Sequence, residues 1–229
     1  MSNLNLITFI IPSVGRPTLI NSIQCLKNQT NPNWNAIIIF DGISPTIKND
    51  DPRIMIMETE KLGQGYNSAG LVRNKAIEYA TSEWIAFLDD DDSISDDYVE
   101  TFIIEINKYS PDVILFRMAF AFKMEFANDY IVPPLQSIRG DIRAGHVGIS
   151  FALKRQIFND GYIFIPSHYE DWILFEKLIS NSYKIMISPH VKYFVRQDPI
   201  IFELGTRIFI NMKDITEIIV NGHNSRKCW

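Results

Sequence analysis

Cysteine is scarce in this chain. Cys25 falls in a predicted helix and Cys228 at the tail, so neither a disulfide framework nor a zinc site is expected, and a reducing compartment fits. Basic residues are outnumbered as well: 22 Lys and Arg face 27 Asp and Glu, for a net charge of −5 and a sequence pI near 5.4. Nucleic-acid surfaces need a basic patch, so that class of partner is excluded. No apolar run reaches the ~18 residues of a membrane span, and the N-terminus has no signal-peptide pattern, which points to a cytoplasmic protein. Neither GxGxxG nor GxxxxGKS/T occurs, so the usual dinucleotide and P-loop fingerprints are missing. Internal repeats and low-complexity linkers are also lacking. What is present is ordinary globular material: 229 residues, 46% hydrophobic and 21% charged, enough for one large α/β domain rather than two.

The first half alternates apolar strands with amphipathic helices. Strands are predicted at Leu6–Ile11, stopping at Pro12, at Trp34–Phe40, at Arg53–Glu58, at Trp84–Leu88 and at Asp112–Phe120. Helices are predicted at Arg16–Asn28, with Pro17 in its first turn, at Ala69–Ala80 and at Asp96–Tyr109. That alternation implies a mostly parallel central sheet flanked by helices. The second half is less regular. Ala121–Gly145, with Pro133-Pro134 inside it, reads as a hairpin or a mobile loop, and Phe151–Phe158 is weakly patterned. A helix follows at Glu170–Ser180, then short strands at Lys184–Ser188 and Val191–Val195. A final helix is predicted at Gly205–Val220.

The strongest chemical signal is SEWIAFLDDDDSISDDY, residues 82–98, where a buried strand runs straight into Asp89, Asp90, Asp91 and Asp92. Neighbouring carboxylates repel by about 1 kcal/mol per close pair in water and about 4 at an effective dielectric of 20. Full solvation or a bound cation relieves that repulsion, and hard oxygen ligands suit Mg²⁺ or Mn²⁺ held together with a phosphate-bearing substrate. An isolated acidic run would read as a helix-capping loop, since Ser93, Ser95 and Asp96 are good caps. The strand in front of it favours a ligand site, because open α/β sheets bind ligands at strand C-terminal ends.

Other residues fall where such a ligand would sit. Pro12, Ser13, Val14, Gly15 and Arg16 join the first strand to the first helix, where N–H groups and a cation can meet an anion. Asp41 ends the second strand and either accepts a bond from a base or sugar or simply makes a turn. Arg73 and Asn74 sit early in the 69–80 helix, after the flexible Gly63-Gln64-Gly65, and Arg73 reads as a phosphate partner or a surface arginine. Glu170 and Asp171 begin a helix, as caps of its dipole or as catalytic acids.

Taken in order, these motifs resemble the family 2 glycosyltransferases of the GT-A fold, over about Leu6 to Arg196. ITFIIPSVGRP resembles the opening strand and loop, and IIIFDG ends in the aspartate that contacts the base. GLVRNKAIEYATSEWIAFLDDDD resembles the arginine-asparagine helix, strand and Asp-x-Asp (DXD) motif. HYEDWILFEKL resembles the later Glu-Asp motif, and Arg196 in YFVRQD the late arginine. The resemblance implies a single GT-A domain over 1–229: a nucleotide-sugar-binding half to about 110, an acceptor-binding half over about 111–200, and the C-terminal helix at 203–221. It implies an inverting, hexosyltransferase-type enzyme of glycan biosynthesis that uses Mn²⁺ or Mg²⁺. The donor is a nucleotide-sugar, a UDP-sugar foremost, and the acceptor a hydroxyl of a glycan, lipid-linked or protein molecule.

By the same resemblance Asp89 and Asp90 contact ribose and sugar, and Asp91, with Asp89, holds the metal. Asp171 is the general base, supported by Glu170, while Arg73 and Arg196 face the pyrophosphate. His146, His168 and Tyr169 are candidate acceptor contacts. Two departures stand out: Val14 replaces the aromatic residue that packs on the base, and Asp90 replaces a commonly small residue. The alternatives are a nucleotidyltransferase or sugar-nucleotide hydrolase, which would want a more basic first loop than Arg16 alone provides, and a non-catalytic sugar-nucleotide-binding protein of the same fold.

Overall fold

A computed structural model describes residues 6–62, 69–124, 129–135, 137 and 142–195 of the chain, all within one compact unit. Arg196, Gly63–Gly65 and the predicted C-terminal helix lie outside the described residues. Strand β1 (Ile7–Ser13) leads to helix α1 (Leu19–Lys27), then β2 (Trp34–Asp41), β3 (Ile54–Thr59), α2 (Ala69–Ile77) and β4 (Trp84–Phe87). The short β5 (Ser93–Ile94), α3 (Tyr98–Tyr109), β6 (Val113–Met124) and β7 (Asp129–Val132) follow. The remainder is β8 (Phe151–Lys154), α4 (Gln156–Asn159), α5 (Glu170–Ser180) and β9 (Ile185–Val195).

These strands form one sheet in the order β3-β2-β1-β4-β8-β6-β9-β5, with β7 paired to β6. β1, β2, β3, β4, β6 and β9 run in one direction, and β5, β7 and β8 run against it. The sheet is therefore mixed: pairing is parallel throughout β3-β2-β1-β4, as the first half of the sequence predicts, whereas β8 is inserted antiparallel between β4 and β6 and the four antiparallel pairings equal the four parallel ones in number. Its central strands are buried on both faces, which is why they read as unbroken apolar runs. Phe87, Phe151 and Phe164 meet edge-on or stacked beneath the end of β4, at centroid distances of 5.2–6.5 Å, and give its terminus a rigid base. Among the described residues no helix is long and apolar enough to cross a membrane.

Four local outcomes differ from the sequence pattern. Pro12 does not end β1. Ile10 C=O accepts from Leu88 N–H on the β4 side, and the N–H that Pro12 lacks would face the same side, beyond the last β4 pair. No ladder bond is lost there, so the strand continues opposite Ile39 and Phe40. Helix α1 starts three residues late, because Arg16–Thr18 form a turn before it. The weakly patterned 151–158 stretch resolves into β8 and α4, whereas the 121–145 stretch contains β7, paired antiparallel to β6 in line with the hairpin reading. The two short strands after α5 are one strand, β9, whose register against β6 slips between Leu115 and Arg117, accommodating Pro189.

Candidate active site

The parallel strands β1, β2 and β4 end together, and the aspartate turn lies at that edge. Asp92 N–H donates to Asp89 C=O at 3.2 Å, closing the turn. Ser22, buried on α1, donates to Asp92 C=O (2.8 Å) and reaches Asp89 C=O (3.1 Å), so the helix clamps both ends. From β9, Tyr193 OH accepts from Asp89 N–H (3.1 Å) and donates to Asp92 Oδ2 (2.8 Å). Burial, then the nearby Asp92 and Asp89, raises the Tyr193 phenol well above its ordinary value, so it stays a donor. Neither Ser22 nor Tyr193 was among the predicted site residues. The apolar patterns around them mark a helix and a strand, and nothing local shows that both point at one turn.

The four aspartates have different fates. Asp90 is buried, accepting from Ser13 Oγ (2.7 Å), Val14 N–H (3.2 Å) and the Arg16 guanidinium. It thus fastens the β1–α1 loop rather than presenting a free carboxylate. Gly15 completes that loop at φ +80°, where a Cβ would also sit 2.7 Å from the Ile43 side chain. Arg16 is half exposed, with Asp91 at 3.8 Å. Burial lowers the Arg16 pKa, but Asp90, Asp91 and Asp89 outweigh it. Asp92 is buried on Tyr193. Asp89 and Asp91 keep side-chain exposures of 32% and 22%, and so are the two members of the run that solvent reaches most.

Asp89 leads directly to the later acidic pair. Arg73, on α2, is buried with a 3% exposed side chain, donating from Nη2 to Asp89 Oδ1 at 2.6 Å and from Nη1 to Glu170 Oε1. Nη1 also lies 3.7 Å from Asp171 Oδ1, and the guanidinium carbon sits 5.5 Å from the centre of the Phe164 ring. Glu170 Oε2 accepts from Gly70 N–H at 3.0 Å, one of the donors left open at the start of α2. A Cβ on Gly70 would fall 2.3 Å from that oxygen and 2.8 Å from the Phe164 Cβ, so any larger residue would force this packing apart. Asn74, next on the helix, grips the Phe164 backbone with both ends of its amide: Nδ2 donates to the C=O (2.8 Å) and Oδ1 accepts from the N–H (3.0 Å). The segment entering α5 is thereby tied to α2.

One buried cation beside three carboxylates leaves excess negative charge, and the carboxylate without a hydrogen bond bears the consequence. Asp171 Oδ1 is buried with no hydrogen-bond partner, although the side chain as a whole is 27% exposed. Burial pushes Asp171 up to about 7; Arg73 opposes this, while Asp89 and Glu170 add to it. Glu170 is raised too, chiefly by burial, with Arg73 and Gly70 N–H pulling it down. The Arg73 charge is weakened by burial but secured by Asp89, Asp171 and Glu170, so its pKa is raised.

The other predicted positions divide. Asp41 is buried at the end of β2 with both oxygens engaged, by Lys61 Nζ and by Leu62 N–H (2.7 Å). Pro12 and Ser13 line the buried end of β1, and Val14 is exposed beside them. His168 and Tyr169 are exposed immediately before Glu170–Asp171, with Tyr169 at 65%. His146 is buried instead, with Nδ1 3.3 Å from Ser137 Oγ and Nε2 accepting from Arg143 Nε at 3.3 Å, partners that give it a structural role. Among the described residues no group of three or more His, Cys, Asp or Glu side chains could by itself cage a metal ion. The available set is Asp91 with Asp89. That set fits a hard divalent cation whose remaining ligands come from substrate phosphate and water, as is usual for Mg²⁺.

Residues 8–158 match the model of glycosyl transferase family 2. EpsH of Bacillus subtilis is 41% identical over 85 residues, 34% of this chain and 23% of its own length. The Escherichia coli UDP-Glc:alpha-D-GlcNAc-diphosphoundecaprenol beta-1,3-glucosyltransferase WfgD is 33% identical over 93 residues, 38% of this chain and 35% of its own. Among solved structures, Staphylococcus aureus TarS residues 1–349 with UDP-GlcNAc superpose at a TM-score of 0.65 and 15% identity, covering 88% of this chain and 62% of that one. The fold is shared, and the chain spans only part of each of these relatives.

Proposed function

Because the chain belongs to glycosyl transferase family 2 and is a glycosyltransferase, we propose that it moves a sugar from a nucleoside-diphosphate sugar, a UDP-sugar in the first instance, to a hydroxyl of a glycan or lipid-linked acceptor, with inversion. The observation that carries this reading is the single ion cluster in which Arg73 joins Asp89, at the end of β4, to Glu170 and Asp171, at the start of α5. Donor-side and acceptor-side carboxylates are thereby held within one rigid unit. UDP and UDP-GlcNAc are bound in the TarS structures of the same fold, which supports the choice of donor class.

Asp171 takes the proton of the acceptor hydroxyl. The acceptor oxygen forms its bond to the anomeric carbon from one face as the bond to the diphosphate oxygen breaks on the other, and the electron pair leaves with the nucleoside diphosphate. A carboxylate poised near neutrality suits that role, since general bases work best with a pKa near the operating pH and contribute roughly 10²- to 10⁴-fold. A divalent cation on Asp91 and Asp89 would supply charge neutralisation at the departing diphosphate. Asp90 holds the Ser13–Arg16 loop in place against the same turn, and the exposed His168 and Tyr169 flank the acceptor side.

Asp171→Asn tests the assignment. Donor affinity, read by calorimetry with a UDP-sugar, stays within about threefold while transfer falls by roughly 10²-fold or more, because the lost interaction belongs to the transition state. Slow donor hydrolysis is less affected than transfer. Near wild-type transfer in that variant would reduce the Glu170–Asp171 pair to a helix cap.

A further inference from the structure

We infer that Arg73 is a positioning residue for the acidic pair on α5, not a ligand of the donor's phosphates, its guanidinium tying Asp89 to Glu170 and Asp171. The inference rests on the general-base reading of Asp171 but departs from the pyrophosphate role that the family resemblance implies for this arginine.

The geometry is specific. A phosphate ligand has to present N–H groups to an open groove, whereas this side chain is 3% exposed and lies over the Phe164 ring. Each terminal nitrogen donates to a carboxylate, at 2.6 Å to Asp89 and in an equally direct bond to Glu170, and Nε, which has no hydrogen-bond partner, is itself buried and so closed to a phosphate. The guanidinium sits among three carboxylates, whose charge opposes the approach of a diphosphate. Asp171 Oδ1, in turn, has no hydrogen bond at all, and Arg73 Nη1 at 3.7 Å is the cation beside it. The support beneath is stiff. Asn74, one residue on, clamps the Phe164 backbone, and Gly70, one turn before, binds Glu170. One face of α2 therefore holds Glu170, Asp171 and the segment leading to them.

Arg73→Lys is the discriminating variant, because lysine keeps the charge but cannot place two nitrogens on two carboxylates. If Arg73 acts through its carboxylates, kcat for transfer falls roughly 10²-fold, on the scale of a general base's contribution, and adding Arg73→Lys to an Asp89→Asn background, where any effect through Asp89 is already removed, leaves calorimetric affinity for UDP within about threefold. In an Asp171→Asn background the same change then has almost no further effect on transfer, since the two residues act as one unit. A tenfold or greater further loss of UDP affinity in the Asp89→Asn background, or a full additional loss of transfer in the Asp171→Asn background, overturns the inference. Unimpaired transfer by Asp171→Asn itself would instead sink the general-base reading, so the two failures are distinguishable. Should Arg73→Lys fail to fold, a crystal structure of the wild-type chain with UDP decides the matter. Arg73 nitrogens on Asp89 and Glu170 and none on a phosphate oxygen support the inference, and a nitrogen on a phosphate oxygen refutes it.

Discussion

Asp171 is raised to about 7 by burial beside two other carboxylates, and this has consequences for both rate and stability. As a base it must be deprotonated, so kcat/KM for transfer should rise with pH and level off above about 7, and Asp171→Asn should abolish that limb of the profile. The stability consequence has the opposite sense. The folded state binds the proton more tightly than the unfolded chain, whose aspartates titrate near 3.9. This group's favourable contribution is complete below that value and is lost as pH rises through the folded pKa. Asp171→Asn is therefore expected to stabilise the fold at pH 8, by ~1 kcal/mol or more, in urea unfolding. Asp90 makes the contrasting case. Its oxygens satisfy Ser13, Val14 and Arg16, so Asp90→Ala leaves the buried Ser13 hydroxyl without its acceptor and releases two solvent-accessible donors, and should destabilise the protein by about 1–3 kcal/mol. It should also weaken donor binding by freeing the β1–α1 loop, measurable by calorimetry with a UDP-sugar.

Among the elements, α5 is the simplest to relate to its sequence. Ile173, Leu174 and Leu178 repeat at helical spacing, and the structure has the helix over Glu170–Ser180. The strand before the aspartates was equally plain, because four consecutive buried residues of β4 leave no solvent face to break the run. What could not be read is pairing. β8 lies between β4 and β6 although its four residues carry no strong pattern, and β5 is two residues long and exists only because β9 is beside it. The same limit applies to the site. The Asp run and the Glu-Asp pair stand out as residue types, but the partners that assign each oxygen, Ser22, Tyr193 and Gly70, come from 67 to 104 positions away. Element-level coupling is also testable. Asn74→Ala should remove the clamp on Phe164, raising amide exchange there and lowering transfer, while UDP affinity is retained.

Across the whole molecule, the edge where the parallel strands end gathers more negative charge than its arginines balance. Asp89 and Asp91 retain solvent access there while no three-ligand cage exists among the described residues. Nucleotide-sugar binding should accordingly depend on a divalent cation. Asp91→Ala should remove the Mn²⁺-dependent part of UDP binding with the fold intact, and calorimetric affinity unchanged by a chelator would show that the charge is balanced otherwise. The contact between Gly70 and Glu170 joins positions one hundred residues apart in the chain, and it leaves no room for a single added carbon. The added carbon would lie 2.8 Å from the Phe164 Cβ as well, so a shorter acid at 170 does not by itself open the position. A library in which codons 70, 164 and 170 are randomised together should return glycine at 70 ahead of any other residue, with alanine there only where 164 and 170 have both become smaller.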